Sequence, residues 1–190
     1  MTRHFRLPTL LAGLALLAAA CAAPTWQQVK LDQPAYDNET QDYGLVPTSL
    51  IRTGAYEAPT PSQIIGAATI TTPHLRDMLL VAPPPLLIDV LGGNQTVSLP
   101  QAIWLPGAGL GVGTDDQLQR RLSARLAEFT GGDKAKAMVF FCLSKTCWLS
   151  HNAAVRAVAL GYTQVYWYRG GRSAWQAAGL AIEPVRASPI

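Results

Sequence analysis

The stretch Met138-Val139-Phe140-Phe141-Cys142-Leu143-Ser144-Lys145-Thr146-Cys147-Trp148 decides the fold, because an apolar run of strand length ends on a cysteine and passes into a short polar loop. The pattern that follows predicts a helix from about Ser150 to Leu160, with Asn152, Ala153, Val155, Val158 and Ala159 along it and Gly161 beyond it. Continuous apolar runs suit strands buried on both faces of a parallel sheet. In an open α/β sheet, the carboxyl end of such a strand faces a helix N-terminus. Free backbone N–H groups and the helix dipole favour negative charge there, which makes it the usual ligand site. A thiol in that place is expected to be acidified, and the thiolate is its reactive form. The competing reading makes Cys142 one more small buried residue at a strand end.

Outward from this stretch the chain repeats the same grammar. Leu86-Leu87-Ile88-Asp89-Val90-Leu91 is a second buried strand, closed by Gly92-Gly93. Its one charge, Asp89, reads as a carboxylate capping nearby loop amides in preference to a catalytic acid. Ala102 to Leu105 is a shorter strand before Pro106-Gly107, and Ala67-Ala68-Thr69-Ile70 is an edge strand. Gln164 to Tyr168 is a further strand, closed by Gly170-Gly171 and followed by a short helix from Ser173 to Ala178. Thr72-Pro73 opens a helix that runs to Leu80, and Thr114-Asp115-Asp116 opens another. The second carries Leu118, Leu122, Leu126 and Phe129 on one face and stops at Gly131-Gly132. Gly107, Gly109, Gly111 and Gly113 lack the G-x-G-x-x-G spacing of a dinucleotide loop. Alternating strands and helices predict an α/β fold with a mainly parallel central sheet flanked by helices.

At 190 residues the chain fits one domain plus an appendage. Residues 1–20 join a basic start (Arg3, His4, Arg6) to an apolar core and a small-residue end, which is the pattern of an export signal peptide. Small residues before Cys21 resemble a bacterial lipobox, so Cys21 is a candidate lipidation site, in competition with plain cleavage after Ala20 or Ala23. The expected address is the periplasm, with membrane attachment only through a lipid on Cys21. Residues 21–61, rich in Pro, Thr, Gln, Asp and Tyr, read as a linker or N-terminal extension, and its Trp26, Tyr36, Tyr43 and Tyr56 predict packing on the domain in places. Removal of Arg3 and Arg6 takes Lys plus Arg from 15 to 13, against 12 acidic residues. That near-neutral balance, with no basic cluster denser than Arg120-Arg121-Arg125, excludes a nucleic-acid partner. In an oxidising compartment a disulfide between Cys142 and Cys147 would persist.

Together these residues resemble the rhodanese-like superfamily over roughly Ala67 to Pro184, within an expected domain of residues 62–186. Leu87-Ile88-Asp89-Val90 resembles its Asp-containing strand, and Ile103-Trp104-Leu105-Pro106-Gly107-Ala108 its His-Ile-Pro-Gly-Ala turn without the histidine. Val139-Phe140-Phe141-Cys142 is similar to the strand that delivers the active-site cysteine. Gly161-Tyr162, Gly170-Gly171, Ala174-Trp175 and Ala178-Gly179-Leu180 are similar to the ending. The cysteine pair with Trp148, Asn152-Ala153-Ala154 and Val165-Tyr166-Trp167-Tyr168 resembles an exported Cys-x-x-Cys-Trp subgroup associated with pyrroloquinoline-quinone-dependent alcohol catabolism. That resemblance implies a partner in a periplasmic quinoprotein dehydrogenase system. The family's active loop has six residues, with a glycine near its middle and Arg or Lys at its end. Here there is neither, and with Ser150 as the helix start the loop is two residues longer.

Three chemistries compete for the pair. In the first, a sulfurtransferase, the Cys142 thiolate takes sulfur from a small donor as a persulfide and hands it to an acceptor protein. The loop Leu143, Ser144, Lys145 and Thr146 then cradles the sulfur anion, with Trp148 beside it. The second is thiol–disulfide exchange by Cys142 and Cys147, which requires the loop to curl: residues five apart on a helix stand roughly 8 to 9 Å apart, beyond the ~7 Å that a disulfide spans. The third is a non-catalytic binding module with a structural disulfide. No cofactor is expected. A metal set of Cys142, Cys147 and His151 is disfavoured, because a histidine one turn into the helix more often faces solvent.

Overall fold

Both faces of the strand Met138–Phe141 are buried, and its alternating side chains divide the core in two. The structure is a computed structural model that describes Met1, residues 28–31 and residues 36–190. Cys21 and, beyond Met1, the expected signal peptide lie outside the described residues. After a 3-10 turn, Asp37–Thr40, the elements are β1 (Ala68–Ile70), α1 (Thr72–Leu80), β2 (Leu86–Asp89), β3 (Val97–Ser98), β4 (Ile103–Trp104), α2 (Gln117–Thr130), β5 (Met138–Phe141), α3 (Trp148–Ala159), β6 (Val165–Tyr168), α4 (Gly171–Ala177) and β7 (Glu183–Pro184). Five strands form a sheet in the order β1-β6-β5-β2-β4, and every pairing in it is parallel. This is the expected α/β architecture with helices on both faces. Among the described residues, no helix is long and apolar enough to cross a membrane.

Period-two alternation explains the two cores. Met138 and Phe140, with Ile88 and Trp167 of the flanking strands, pack against Leu122 and Leu126 of α2 and Ala153 and Val155 of α3. Val139 and Phe141, with Leu87 and Tyr168, pack against Leu75 of α1 and Ala174 and Trp175 of α4. Each such side chain, fully buried, contributes about 1.5–3 kcal/mol, so β5 is held from both sides. The same alternation turns Cys142, the residue after β5, to the α2 and α3 face.

Helix ends account for the differences from expectation. Asp116 caps α2 by accepting from the Gln119 amide, and Gly131 ends it with φ 64°. Helix α3 begins at Trp148, two residues before Ser150, because Cys147 is its extended N-cap residue and the Trp148 amide donates to the Tyr56 carbonyl at 2.8 Å. Helix α4 begins at Gly171, ahead of Ser173. Gly171 has φ 61°, and a Cβ there would stand 2.5 Å from the Cys142 carbonyl oxygen, so only glycine lets α4 approach the loop this closely. A two-stranded antiparallel piece, β3 with β7, was not anticipated, since two-residue strands carry no period.

Two clamps fix what surrounds the Cys142 loop. Arg156 of α3 is fully buried and grips Asp116 in a fork, Nη1 to Oδ1 at 3.0 Å and Nη2 to Oδ2 at 2.8 Å, with further bonds to Gln119 Oε1 and the Leu110 carbonyl. Burial opposes ionisation of Asp116, but Arg156 and the Gln119 and Val112 amides hold its carboxyl well below the usual carboxylate range. Breaking a pair of this kind by removing one partner costs about 3–5 kcal/mol. The second clamp ties residues 36–61 to the domain. Arg169, 2% exposed, donates to the Thr60 hydroxyl and carbonyl and to the Glu39 carbonyl, while Glu39 accepts from the Thr72 amide and hydroxyl.

Candidate functional site

β5 and β2 are neighbours whose next strands in the sheet lie on opposite sides, β6 beyond β5 and β4 beyond β2. Such a reversal opens a crevice at the carboxyl ends of the strands. A cleft of about 230 Å3 lies there, walled by Leu91 after β2, by Leu143 and Leu149 after β5, and by Tyr56 and Glu57, with Cys147 among its lining residues. Cys147 is 8% exposed and Cys142 1%. The two form a disulfide with Cα atoms 6.2 Å apart. The loop reaches this separation by curling, with the Cys147 amide donating to the Ser144 carbonyl at 3.0 Å.

The hydrogen bonds of this loop are one-sided. The Cys142 carbonyl accepts from the Arg172 amide, that of Leu143 from Ser173, that of Ser144 from Cys147, and that of Thr146 from Ala58. The Thr60 hydroxyl donates to the Lys145 carbonyl at 2.7 Å. All five carbonyls from Cys142 to Thr146 are therefore engaged. The Thr146 amide donates to Ser144 Oγ at 3.3 Å, whereas the amides of Leu143, Ser144 and Lys145 have no acceptor among the described residues. A loop with its acceptors taken and successive donors free is an anion-binding arrangement.

Leu143, Ser144 and Thr146 line the cleft beside Cys147. Lys145 lies on the other face of the loop, where its Nζ donates to the Asn38 carbonyl and to Gln41 Oε1, both at 2.8 Å. Burial, with Arg169 nearby, lowers its pKa. Trp148 is also apart from the cleft: its Nε1 donates to the Pro59 carbonyl at 3.0 Å and the Arg52 guanidinium stands 4.9 Å over its ring. Asp89 is a buried cap, accepting from the Leu91 amide, Gln95 Nε2 and the Ser98 hydroxyl. Burial raises its pKa against those bonds and the Arg172 charge. His151, expected at the solvent face, is fully buried, with ring centroids 4.8 Å from Trp148 and 5.3 Å from Trp167. It does not join the cysteines as a third ligand. The sequence reading missed Tyr56, Glu57, Leu91 and Leu149 as cleft walls; Tyr56 had only its aromatic ring to mark it within the extension.

The start of α3 at Trp148 leaves six residues from Cys142 to Cys147. The two-residue excess counted from Ser150 is thus absent, because the helix is capped earlier, and Cys147 takes the last loop position, where the resemblance puts Arg or Lys.

A doubly covered parallel sheet presenting a cysteine loop at its carboxyl edge defines an α/β protein with a disulfide-bonded cysteine pair at that edge. The Rhodanese-like domain family matches residues 75–178, more than half of the chain, and the chain belongs to that family. Among solved structures it is similar to a full-length protein from Lactobacillus plantarum, with 19% identity over 61% of this chain and 87% of that one and a TM-score of 0.46. It is similar also to a thiosulfate sulfurtransferase from Pseudomonas aeruginosa, with 21% identity over 65% of this chain but 21% of that one and a TM-score of 0.46. A third similar structure is the As-Sb reductase from Leishmania major, with 22% identity over 59% and 79% of the two chains and a TM-score of 0.44. A search of curated proteins gives no match.

The enclosure of His151 has a pH consequence. Burial lowers its pKa from 6.5 to about 4, offset in part by the nearby Asn152 side chain and Thr48 backbone, although neither ring nitrogen completes a hydrogen bond among the described residues. The fold prefers the neutral ring, so this contribution to stability is complete above the unfolded value and is lost as pH falls toward the folded one. Between about pH 7 and about pH 5 the loss is about 2 kcal/mol. Urea unfolding across that window should show the slope in the natural chain and a flatter line in His151→Leu; equal slopes would contradict the assignment.

Proposed function

We propose that this chain is an exported sulfur carrier and sulfurtransferase of the rhodanese-like family, in which Cys142, freed by reduction of the disulfide, holds sulfur as a persulfide. The observation that carries the reading is the loop after β5, whose carbonyls are all engaged and whose Leu143, Ser144 and Lys145 amides have no acceptor among the described residues. Such donors stabilise anionic sulfur, on the thiolate before attack and on the persulfide after it. In the forward step the Cys142 thiolate attacks the outer sulfur of a sulfane donor. The donor's S–S bond breaks, and the rest of the donor leaves with the electron pair. An acceptor thiolate then attacks the outer sulfur of the persulfide and returns Cys142 to the thiolate. Cys147 is the resolving thiol: where no acceptor arrives, its thiolate attacks the inner sulfur, expels hydrosulfide and restores the disulfide.

Thiol–disulfide exchange without sulfur transfer is the second reading, favoured by the disulfide itself. A purely structural crosslink is less well supported, because the loop is already pinned from both sides by Arg172, Ser173, Ala58 and Thr60. A crosslink closing so short a loop adds only about 2 kcal/mol. The reduced chain, treated with polysulfide and digested, should gain one sulfur on the peptide carrying Cys142. Cys142→Ser should abolish the gain and Cys147→Ser should keep it; equal loss in both variants would sink the persulfide reading.

The periplasmic address, and a role beside a quinoprotein alcohol dehydrogenase, rest on the export signal and on the resemblance of Cys147-Trp148 and its surroundings to the quinone-associated subgroup. In a bacterium that oxidises alcohols through such an enzyme, deletion of this chain should slow growth on the alcohol. Unchanged growth would remove that placement and leave the chemistry untouched.

A further inference from the structure

The geometry points to Cys147 as the sulfur first attacked when the chain is in its disulfide form, and to hydrosulfide, not a dianionic donor, as the attacking group. This rests on the sulfur-carrier reading above and names what loads the oxidised protein.

Access decides the first part. Cys147 lines the cleft and Cys142, beneath the loop at 1% exposure, does not. Of the two cysteines, Cys147 is therefore the one a nucleophile in the cleft meets. Attack on Cys147 releases the thiolate on Cys142, the residue before the Leu143, Ser144 and Lys145 amides that have no acceptor among the described residues.

Charge and size decide the second part. Leu91, Leu143, Leu149 and Tyr56 make the cleft mainly apolar, and Glu57 is the one ionisable side chain besides Tyr56 and the cysteine on its lining. The neighbouring cations are directed elsewhere: Lys145 to Asn38 and Gln41, Arg172 to Gln95 and the Val97 carbonyl, Arg52 to the Ala55 carbonyl. A dianion such as thiosulfate finds one acidic residue and no basic one on the lining. Hydrosulfide carries half that charge on one sulfur atom and exchanges with neutral hydrogen sulfide, so the same surface opposes it less. The step balances without a further reagent. The lone pair of hydrosulfide forms a bond to Cys147 Sγ, and the Cys142–Cys147 bond breaks with its electron pair going to Cys142. The incoming sulfur is oxidised to the sulfane level as the disulfide is reduced, leaving a persulfide on Cys147 and a thiolate on Cys142.

Lys145 stands between the two cysteines, so trypsin separates them into different peptides. Oxidised full-length protein is mixed with sodium hydrosulfide or sodium thiosulfate, quenched at increasing times with an alkylating agent, digested without reductant and weighed. At the earliest times hydrosulfide should place one extra sulfur on the Cys147 peptide and an alkyl group on Cys142, while thiosulfate leaves the disulfide closed. Glu57→Lys should speed opening by thiosulfate at least about tenfold and opening by hydrosulfide by a smaller factor, about threefold, as half the charge requires. Extra sulfur on Cys142 from the first time point, no opening by hydrosulfide, or equal reaction with thiosulfate in the natural chain and in Glu57→Lys would each overturn the inference. Reduced protein loaded with polysulfide is the companion sample: uptake there alongside failure with hydrosulfide defeats only this inference, and failure in both defeats the carrier reading.

Discussion

The carbonyl oxygens from Cys142 to Thr146 all accept hydrogen bonds, and the character of the site depends on that constraint. One partner, the Cys147 amide, closes the loop on itself, and the other four come from two directions. The start of α4 supplies the Arg172 and Ser173 amides, which reach the loop only because Gly171 has no side chain to strike the Cys142 carbonyl. The extension supplies Ala58 and Thr60, and its Glu57 pairs with Cys147 as an isolated antiparallel bridge. With the acceptors taken, the Leu143, Ser144 and Lys145 amides are left without an acceptor among the described residues, directly after Cys142. Sequence thus acts on chemistry through backbone hydrogen bonds more than through charged side chains. Lys145 and Arg169, the cations adjoining the loop and extension, spend their donors on holding residues 38–60 in place.

That arrangement also separates the fold from the oxidation state of the pair. Strand β5 is fixed by two cores and α3 by the buried fork of Arg156 on Asp116, and neither is made by the Cys142–Cys147 bond itself. None of the loop's five carbonyl bonds is made to sulfur. The disulfide stands beside a cleft, with Cys147 on the lining.

The fold was legible wherever both faces of an element are buried. Leu86 to Leu91, Met138 to Phe141 and Val165 to Tyr168 are continuous apolar runs because helices cover both sides of the sheet, and Asp116 and Gly131 mark α2 because capping is local. The pair of cysteines at the end of the central strand was legible for the same reason. What escaped notice depends on distant partners. The start of α3 is set by the Tyr56 carbonyl, 92 positions before Trp148, and no local pattern records that bond. Residues 36–61 read as linker because they grip the domain through Glu39, Thr60 and main-chain groups, which look like ordinary loop composition. His151 reads as a polar surface residue until Trp148 and Trp167 are seen to enclose it.

The central claim is that the Cys142–Cys147 bond is an exchangeable chemical group in a loop that is held without it. Equilibration of the folded protein against a graded series of thiol and disulfide buffers, with far-UV circular dichroism recorded at each point, measures this directly. The account predicts a reduction potential above about −300 mV, the region below which structural disulfides resist glutathione, with the helix and sheet signal unchanged between the two forms. A potential well below that value, or loss of the folded signal as the bond opens, would make the disulfide a structural brace and contradict the account.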